Sequence, residues 1–571
     1  MQAPCTADPS AGLAAADFLR GLALQQAGQI AESVEAYADA LRRAPDHPAA
    51  LHNLGAAQLA AGNPAAAIAT WQRAVQRHPG QVETIVALGH ALLDADRVGE
   101  AAILLSTASR RHPAESRLLL LNGRALLALR QTGPAIGALL TALALDPGSA
   151  GAHDALANAF YAHGDYDAAL AEAAEAFRLT PDHRHANTVS RALLALSRYE
   201  AALQFADHAL ALQPGYFPAL ANRTVALQGA GRFEDALAAG HQAVAAAPAD
   251  GQGGAMARHN LAMIYLGLGR MTPAVWDLFE ARTRLQGKPA WQSGPGRWAG
   301  EDIAGRTIVL RAEQGFGDTL QFIRYAPMVA ARGARVILAV QTPLVRLLRG
   351  LAGVAAVVPA EQPLPPHDLV CPLLSLPRLF GTDLHSIPPV VPLAVTFEPW
   401  HGAAAGLRVG LVWAGNAAFT RDEARSLTPG DLAPLAGISG VQFYSLQRHE
   451  AGLASPPADL QLIDLMRGVQ DFADTAARLA GLDLVIAVDT AVAHLAATMG
   501  KPVWLLSRCR GCWRWLHGRA DSPWYPTLRI VRQDAPGDWT GAVARVRRDL
   551  TALAAQPDGP PAAAATTGTT R

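Results

Sequence analysis

Over the first 286 residues small and apolar side chains recur with helical spacing and are interrupted at regular intervals by glycine and proline, a pattern of paired amphipathic helices. From about Gly300 that period stops, and short runs rich in Val, Ile and Leu alternate with helical stretches, as in an α/β region. Strands are predicted at 307–311, 335–340, around Val357 and at 368–371, with helices over 319–331 and 343–351. A proline-dense connector (Pro388, Pro389, Pro392, Pro399) leads to a second series, with strands predicted at 407–413, 441–446, 460–465, 484–488 and 502–506. Helices are predicted there at 473–480 and 491–499, and a basic amphipathic helix closes the series at 539–555. Two strand–helix series joined by a linker predict paired Rossmann-like halves facing a cleft.

The helical half has a strict period. Pro45, Pro79, Pro113, Pro147, Pro181, Pro214 and Pro248 are separated by 34, 34, 34, 34, 33 and 34 residues. Gly21, Gly55, Gly89 and Gly123 keep one phase of this ruler, Gly28, Gly62, Gly164 and Gly231 another, and alanines from Ala40 to Ala243 a third. Small residues let paired helices approach, glycine relieves the backbone at the turn, and proline ends the second helix. The pattern resembles the tetratricopeptide family. An eighth unit without its proline is visible through Gly269, Ala274 and Ala281, as expected of a cap or junction. His52, Asn53, His153, Asn158 and Asn222 are the polar candidates for a ligand-binding concave face, with a plain solvated face as the alternative.

Two motifs in the α/β half suggest chemistry. Gln314-Gly315-Phe316-Gly317-Asp318-Thr319 follows a predicted strand and opens a helix, where backbone N–H groups favour an anion and a carboxylate can stand at the mouth of a cleft. The loop lacks the third glycine of a dinucleotide fingerprint and the Lys-Ser/Thr of a P-loop, so neither NAD nor ATP follows, and a plain βα turn is the alternative. Asp489-Thr490-Ala491-Val492-Ala493-His494 repeats the arrangement at a second strand end. A helix starting at Thr490 puts Thr490 and His494 on one face, suited to a diphosphate; the alternative is an Asp489 N-cap and a core histidine.

Together with 409–416, ending in Ala414-Gly415-Asn416, and the Ser445-Leu446-Gln447 strand end, these motifs resemble glycosyltransferase family 9, the bacterial heptosyltransferases, over about 302–550. Their order is similar to that of bacterial proteins fusing tetratricopeptide repeats to such a module. The resemblance implies a multidomain fold: an N-terminal all-α superhelical solenoid, then a C-terminal α/β twin Rossmann module of the glycosyltransferase B type. It implies a nucleotide-diphosphate sugar as donor, Asp318 as the base that deprotonates an acceptor hydroxyl, and donor binding by Gly315, Gly317, Asn416, Gln447, Asp489, Thr490 and His494. Ala491 replaces the family's usual glycine, and Arg421 or Arg425 stands where a cation normally neutralises the leaving phosphate, with a surface salt bridge to Asp422 or Glu423 as the alternative. No cofactor is expected, and without an Asp-x-Asp near the cleft catalysis is expected to be metal-independent. By analogy of architecture the repeats select a protein, peptide or glycan acceptor. The competing class is a non-catalytic scaffold with a degenerate glycosyltransferase module.

The divisions expected are a tail at 1–10, about eight repeats over 11–286, a linker at 287–300, a short first half at 301–392, a nucleotide-sugar-binding half at 393–555 and a disordered tail at 556–571. Because the first half is short, the last repeats are expected to complete its core or its acceptor wall. Composition then narrows the partners. The chain has 571 residues, half of them apolar, and 48 basic residues balance 48 acidic ones, so no global field draws it to nucleic acid or an anionic membrane. Four cysteines, Cys5, Cys371, Cys509 and Cys512, are too scattered for a disulfide framework. With no apparent secretory signal and no long apolar span, a cytoplasmic location is expected. Cys509-x-x-Cys512 with His517 lacks the second ligand pair of a structural zinc site. The nearby Trp513, Trp515, Trp524 and Tyr525 are expected to cover an edge or stack beside the nucleotide, with packing alone the favoured alternative.

Overall fold

The computed structural model describes residues 9–248, 251–285, 296–396, 406–415, 425–448 and 457–556. Most of the expected N-terminal tail, most of the linker and nearly all of the expected disordered tail lie outside them. The chain divides into two compact units, 1–230 and 231–571.

The first unit is a run of helical pairs, from α1 (Pro9–Gln26) and α2 (Ile30–Arg43) to α12 (Tyr199–Leu212) and α13 (Phe217–Gly229). Each second helix ends two residues before its proline, at Arg43, Arg77, Arg111, Leu145, Leu179 and Leu212. The glycine phases have separate causes. A Cβ at Gly21 would meet the Tyr37 ring at 2.7 Å and one at Gly89 would meet Leu105 at 2.9 Å, so the first phase is set by close helix approach. The second phase sits in the turn, with φ of +76° at Gly28 and +78° at Gly62. Asp96, Arg130 and Ser197 hold the same left-handed turn in other repeats at φ of +58°, +60° and +57°. The polar candidates bond from repeat to repeat or to their own surroundings. His52 meets Thr84 at 3.0 Å, Asn222 donates to Asn187 at 2.9 Å, and His153 pairs with Glu172 at 2.6 Å. Asn158 accepts from Arg191 and Asn53 donates to Tyr37.

The second unit begins with α14 (Phe233–Ala246), α15 (Gln252–Gly267), α16 (Pro273–Phe279) and α17 (Arg282–Leu285), so the end of the repeat array belongs with the α/β module. A four-stranded parallel sheet follows, in the order β3-β2-β1-β4, from β1 (Thr307–Arg311), β2 (Arg335–Val340), β3 (Val354–Pro359) and β4 (Leu369–Pro372). Its short helices are α18 (Phe316–Phe322), α19 (Ala326–Ala330), α20 (Val345–Leu348) and α21 (Leu376–Leu379). The helix predicted over 319–331 is thus α18, a 3-10 turn and α19, broken where Pro327 supplies no N–H to continue the ladder.

The second sheet has the order β10-β11-β9-β8-β5-β6-β7, with β5 (Leu407–Val412), β6 (Val441–Ser445), β7 (Ile463–Asp464), β8 (Leu484–Val488), β9 (Val503–Ser507), β10 (Asp521–Ser522) and β11 (Tyr525–Arg532). It is flanked by α22 (Pro429–Leu432), α23 (Phe472–Ala480), α24 (Ala491–Thr498) and α25 (Thr540–Ala554). The strand predicted at 460–465 shrinks to β7, since Leu460 closes a 3-10 turn and Gln461 turns left-handed at φ +46°. The eight-residue β11, parallel to β9, has no counterpart in the predicted strands.

One continuous core runs from α15 and α16 through the first sheet to one face of the second, and includes Leu266, Trp276, Phe279, Leu310, Leu338, Val485 and Leu505. The fully buried Trp276 donates its indole N–H to the Thr382 carbonyl at 2.7 Å, and its ring lies 6.1 Å from that of Trp513. Beside it Arg282, 2% exposed, binds Glu280 at 2.6 Å and Glu313 at 2.8 Å, and donates to Ser375 at 2.8 Å. Helices α15 and α16, with Arg282 of α17, are therefore part of the module's interior. They add apolar surface to that of the short helices of the first half.

Candidate active site

Both sheets turn the C-terminal ends of their parallel strands toward one cleft of about 1000 Å3, where ligands gather in α/β folds. The loop after β1 contributes Gly315, Gly317 and Asp318, β5 leads into Ala414 and Gly415, β6 into Gln447 and Arg448, β8 into Asp489 and Thr490, and β9 into Arg508. His494 from α24, Arg425 and Arg514 complete the charged and polar lining relevant to the chemistry. Asn416 and Arg421 lie outside the described residues.

The Gly315–Asp318 loop is built for packing as well as for exposure. The Gly315 N–H donates to Asp318 Oδ2 at 2.9 Å, which caps the start of α18. A Cβ at Gly317 would lie 2.6 Å from His494 Cδ2, so Gly317 is required where α18 crosses α24. The other Asp318 oxygen accepts from Arg514. The base candidate is therefore held by a cation 196 residues away in the chain.

The helix of the second motif begins at Ala491, as the span predicted at 491–499 has it, and not at Thr490. Thr490 is the N-cap of α24, and its side chain makes no capping bond. Its hydroxyl oxygen is buried without a hydrogen-bond partner among the described residues, at the edge of the cleft. His494 is 4% exposed; Nδ1 lies 2.9 Å from the Tyr525 hydroxyl and Nε2 lies 3.9 Å from Asp489 Oδ1. Burial, with Arg514 second, pushes its pKa down to about 3, so the ring is neutral near pH 7. If Nδ1 accepts from Tyr525, Nε2 carries a proton and is a donor.

Arg425 donates to the Asp489 carbonyl at 3.1 Å. The Gln447 side chain accepts from the Ala414 N–H at 3.0 Å, which ties the ends of β5 and β6 together. Arg448 and Arg508 line the cleft with no ion-pair partner among the described residues.

The segment 512–517 divides its side chains between two surroundings. Trp513 packs on Trp276 and Phe279, with centroids at 6.1 and 5.9 Å, while Trp515 lies 5.0 Å from His494. His517 stacks on Phe233 at 4.1 Å, and its N–H donates to the Gly267 carbonyl at 2.7 Å. Cys512 Sγ accepts from Arg514 at 3.1 Å. Trp524 and Tyr525 are buried in the core and do not line the cleft, so they pack rather than stack on a ligand.

Arg508 and Arg514 were not among the residues singled out from sequence. Arg508 directly follows a strand of the second sheet, and the strand-end rule alone would have nominated it. Arg514 stands between two tryptophans in a 3-10 turn, and no sequence period marks it as a cleft residue.

Comparison with known proteins agrees with this division. Two tetratricopeptide repeat models match, one over residues 18–82 and 155–217 and the other over 58–127. The model of glycosyltransferase family 9 (heptosyltransferase) matches residues 461–506, a stretch that holds Asp489, Thr490 and His494 but not Asp318. Protein FlbA of Caulobacter vibrioides is 28% identical over 411 residues, covering 65% of this chain and 67% of that protein. A tetratricopeptide repeat protein from Parabacteroides merdae matches at 14% identity over 44% of this chain and 98% of that one, with a TM-score of 0.38. A thermophilic tetratricopeptide protein of Thermus thermophilus matches at 22% identity over 32% of this chain and 98% of that one, with a TM-score of 0.29. The chain joins tetratricopeptide repeats to an α/β module that carries a glycosyltransferase family 9 stretch. No helix among the described residues is long and apolar enough to cross a membrane.

Proposed function

We propose that the chain is a glycosyltransferase that moves a sugar from a nucleoside diphosphate to an acceptor hydroxyl on a protein, peptide or glycan selected by the repeats. The observation that carries this reading is the convergence of five strand ends from two sheets on one cleft, with Asp318 from the side of the first sheet and Asp489, arginines and the N-terminus of α24 from the side of the second. Asp318 takes the proton of the acceptor hydroxyl as its oxygen bonds to the anomeric carbon. The bond from that carbon to the diphosphate breaks, and the leaving charge falls to Thr490, the first N–H groups of α24, Arg508 and Arg448. Neutral His494 donates a hydrogen bond to the diphosphate without adding charge. The step needs no metal, and we place it in the cytoplasm.

A thermal-shift panel of ADP, GDP, UDP and CDP with their sugars on the full chain tests this. One nucleotide family should stabilise the protein, and His494→Ala should remove the shift. Failure of all eight to bind by calorimetry would sink the reading. The ion pair that occupies Asp318 favours a second one, a scaffold that binds nucleotides without turnover. Binding with no release of nucleoside diphosphate in the presence of any acceptor extract would support it.

A further inference from the structure

Arg514 is the most unusual charge in the cleft. It is 9% exposed, its carbon Cζ lies 4.7 Å over the Trp513 ring, and its Nε is buried without a partner among the described residues. One guanidinium nitrogen donates to Cys512 Sγ at 3.1 Å and the other to Asp318. Burial works against its charge, yet Asp318 and then Cys512 hold its pKa above the ordinary arginine value, so the cation is permanent.

This arrangement conflicts with the chemistry of an active base. Both Asp318 oxygens are already engaged, Oδ2 by the Gly315 N–H at 2.9 Å and Oδ1 by Arg514, so an acceptor hydroxyl finds no oxygen clear of a donor. An incoming diphosphate would also meet the like charge of Asp318 unless a cation stood between them. The unpartnered Thr490 hydroxyl lines the same cleft and marks where an anion would gain a hydrogen bond.

We propose that Arg514 is an exchangeable diphosphate ligand, which holds Asp318 while the cleft is empty and transfers its hydrogen bond to a phosphate oxygen when the donor enters. The inference rests on the proposed transferase reading. Donor binding then releases the Asp318 carboxylate, so the base becomes competent only once the sugar donor is in place. The order of binding is donor first, acceptor second. After transfer the proton leaves Asp318 to solvent, the nucleoside diphosphate dissociates and the ion pair re-forms.

Binding alone tests this, with ADP, GDP, UDP and CDP titrated calorimetrically into the full chain. Asp318→Asn removes the competitor of the phosphate and should tighten the preferred nucleoside diphosphate several-fold. In that background Arg514→Gln should weaken it by about tenfold or more, the scale of a lost charge-assisted hydrogen bond. Asp318→Asn/Arg514→Lys, which keeps the charge, replaces the double variant if that one does not fold, and should bind between the two. An Asp318→Asn variant no tighter than the natural chain would overturn the proposal. So would a double variant equal to Asp318→Asn, since Arg514 would then only clamp the aspartate. If the natural chain and Asp318→Asn bind none of the four, the transferase reading falls and the exchange falls with it.

Discussion

Replacing Trp276 by alanine tests whether the last repeat helices are part of the α/β core. Trp276 is fully buried between Phe279 and Trp513, and its indole N–H donates to the Thr382 carbonyl at 2.7 Å. Truncating a buried tryptophan costs about 3–5 kcal/mol in lost burial and residual cavity. The orphaned carbonyl adds about 1 kcal/mol. A total of about 4–6 kcal/mol, at roughly 2 °C per kcal/mol for a unit of this size, lowers its melting midpoint by about 10 °C. Hydrogen exchange read by mass spectrometry locates the damage. Protection should fall together in α15, α16, β1 and β4. Trp276→Phe, which keeps most of the bulk, should cost about 1–2 kcal/mol. Loss of protection confined to α15 and α16, with β1 and β4 unchanged, would refute the shared core.

Other consequences are independent of that one. Gly317→Ala should cost about 1–3 kcal/mol by overpacking against His494 and weaken nucleoside diphosphate binding, whereas Gly315→Ala, whose Cβ meets Asp318 at an ordinary 3.4 Å, should do neither, as chemical denaturation and calorimetry would show. Arg130→Gly should stabilise the first unit by about 0.5–1 kcal/mol, because Arg130 holds a left-handed turn at φ +60°; a lower melting midpoint would contradict this. Burial pushes the pKa of His259, His494 and His517 down to about 4, 3 and 4, so each stays neutral in the folded chain while its unfolded form protonates near pH 6.5. Their stabilisation is complete above pH 6.5 and is lost as pH falls toward 4, and for His494 toward 3, by about 1.4 kcal/mol per unit for each group at most. The urea midpoint of the second unit should fall between pH 7 and 5, and His494→Gln should flatten that slope.

The repeat array was legible because each of its rules is local. Proline ends the second helix two residues on, and glycine meets Tyr37 or Leu105 on the next helix. The strands at 307–311, 335–340 and 484–488 were read at their observed bounds, since uninterrupted β-branched runs fill buried parallel strands. Strand β11 carries a weaker signal, because its aromatic start fits an edge cover equally well and only Leu528 and Ile530 show the alternation that defines it. Asp318, Asp489, Thr490 and His494 were nominated from motifs, and all four line one cleft. Their partners were out of reach for a physical reason. Arg514 pairs with Asp318 across 196 residues and Trp276 meets Thr382 across 106, contacts that no local period encodes.

A crystal structure of the full chain with its tightest-binding nucleoside diphosphate would test the central claim most directly. The account predicts phosphate oxygens within hydrogen-bond distance of the Thr490 hydroxyl, the first N–H groups of α24 and Arg514, with Asp318 released. A nucleotide bound outside the cleft between the two sheets, or in it with the Arg514–Asp318 pair intact and Thr490 untouched, would contradict it.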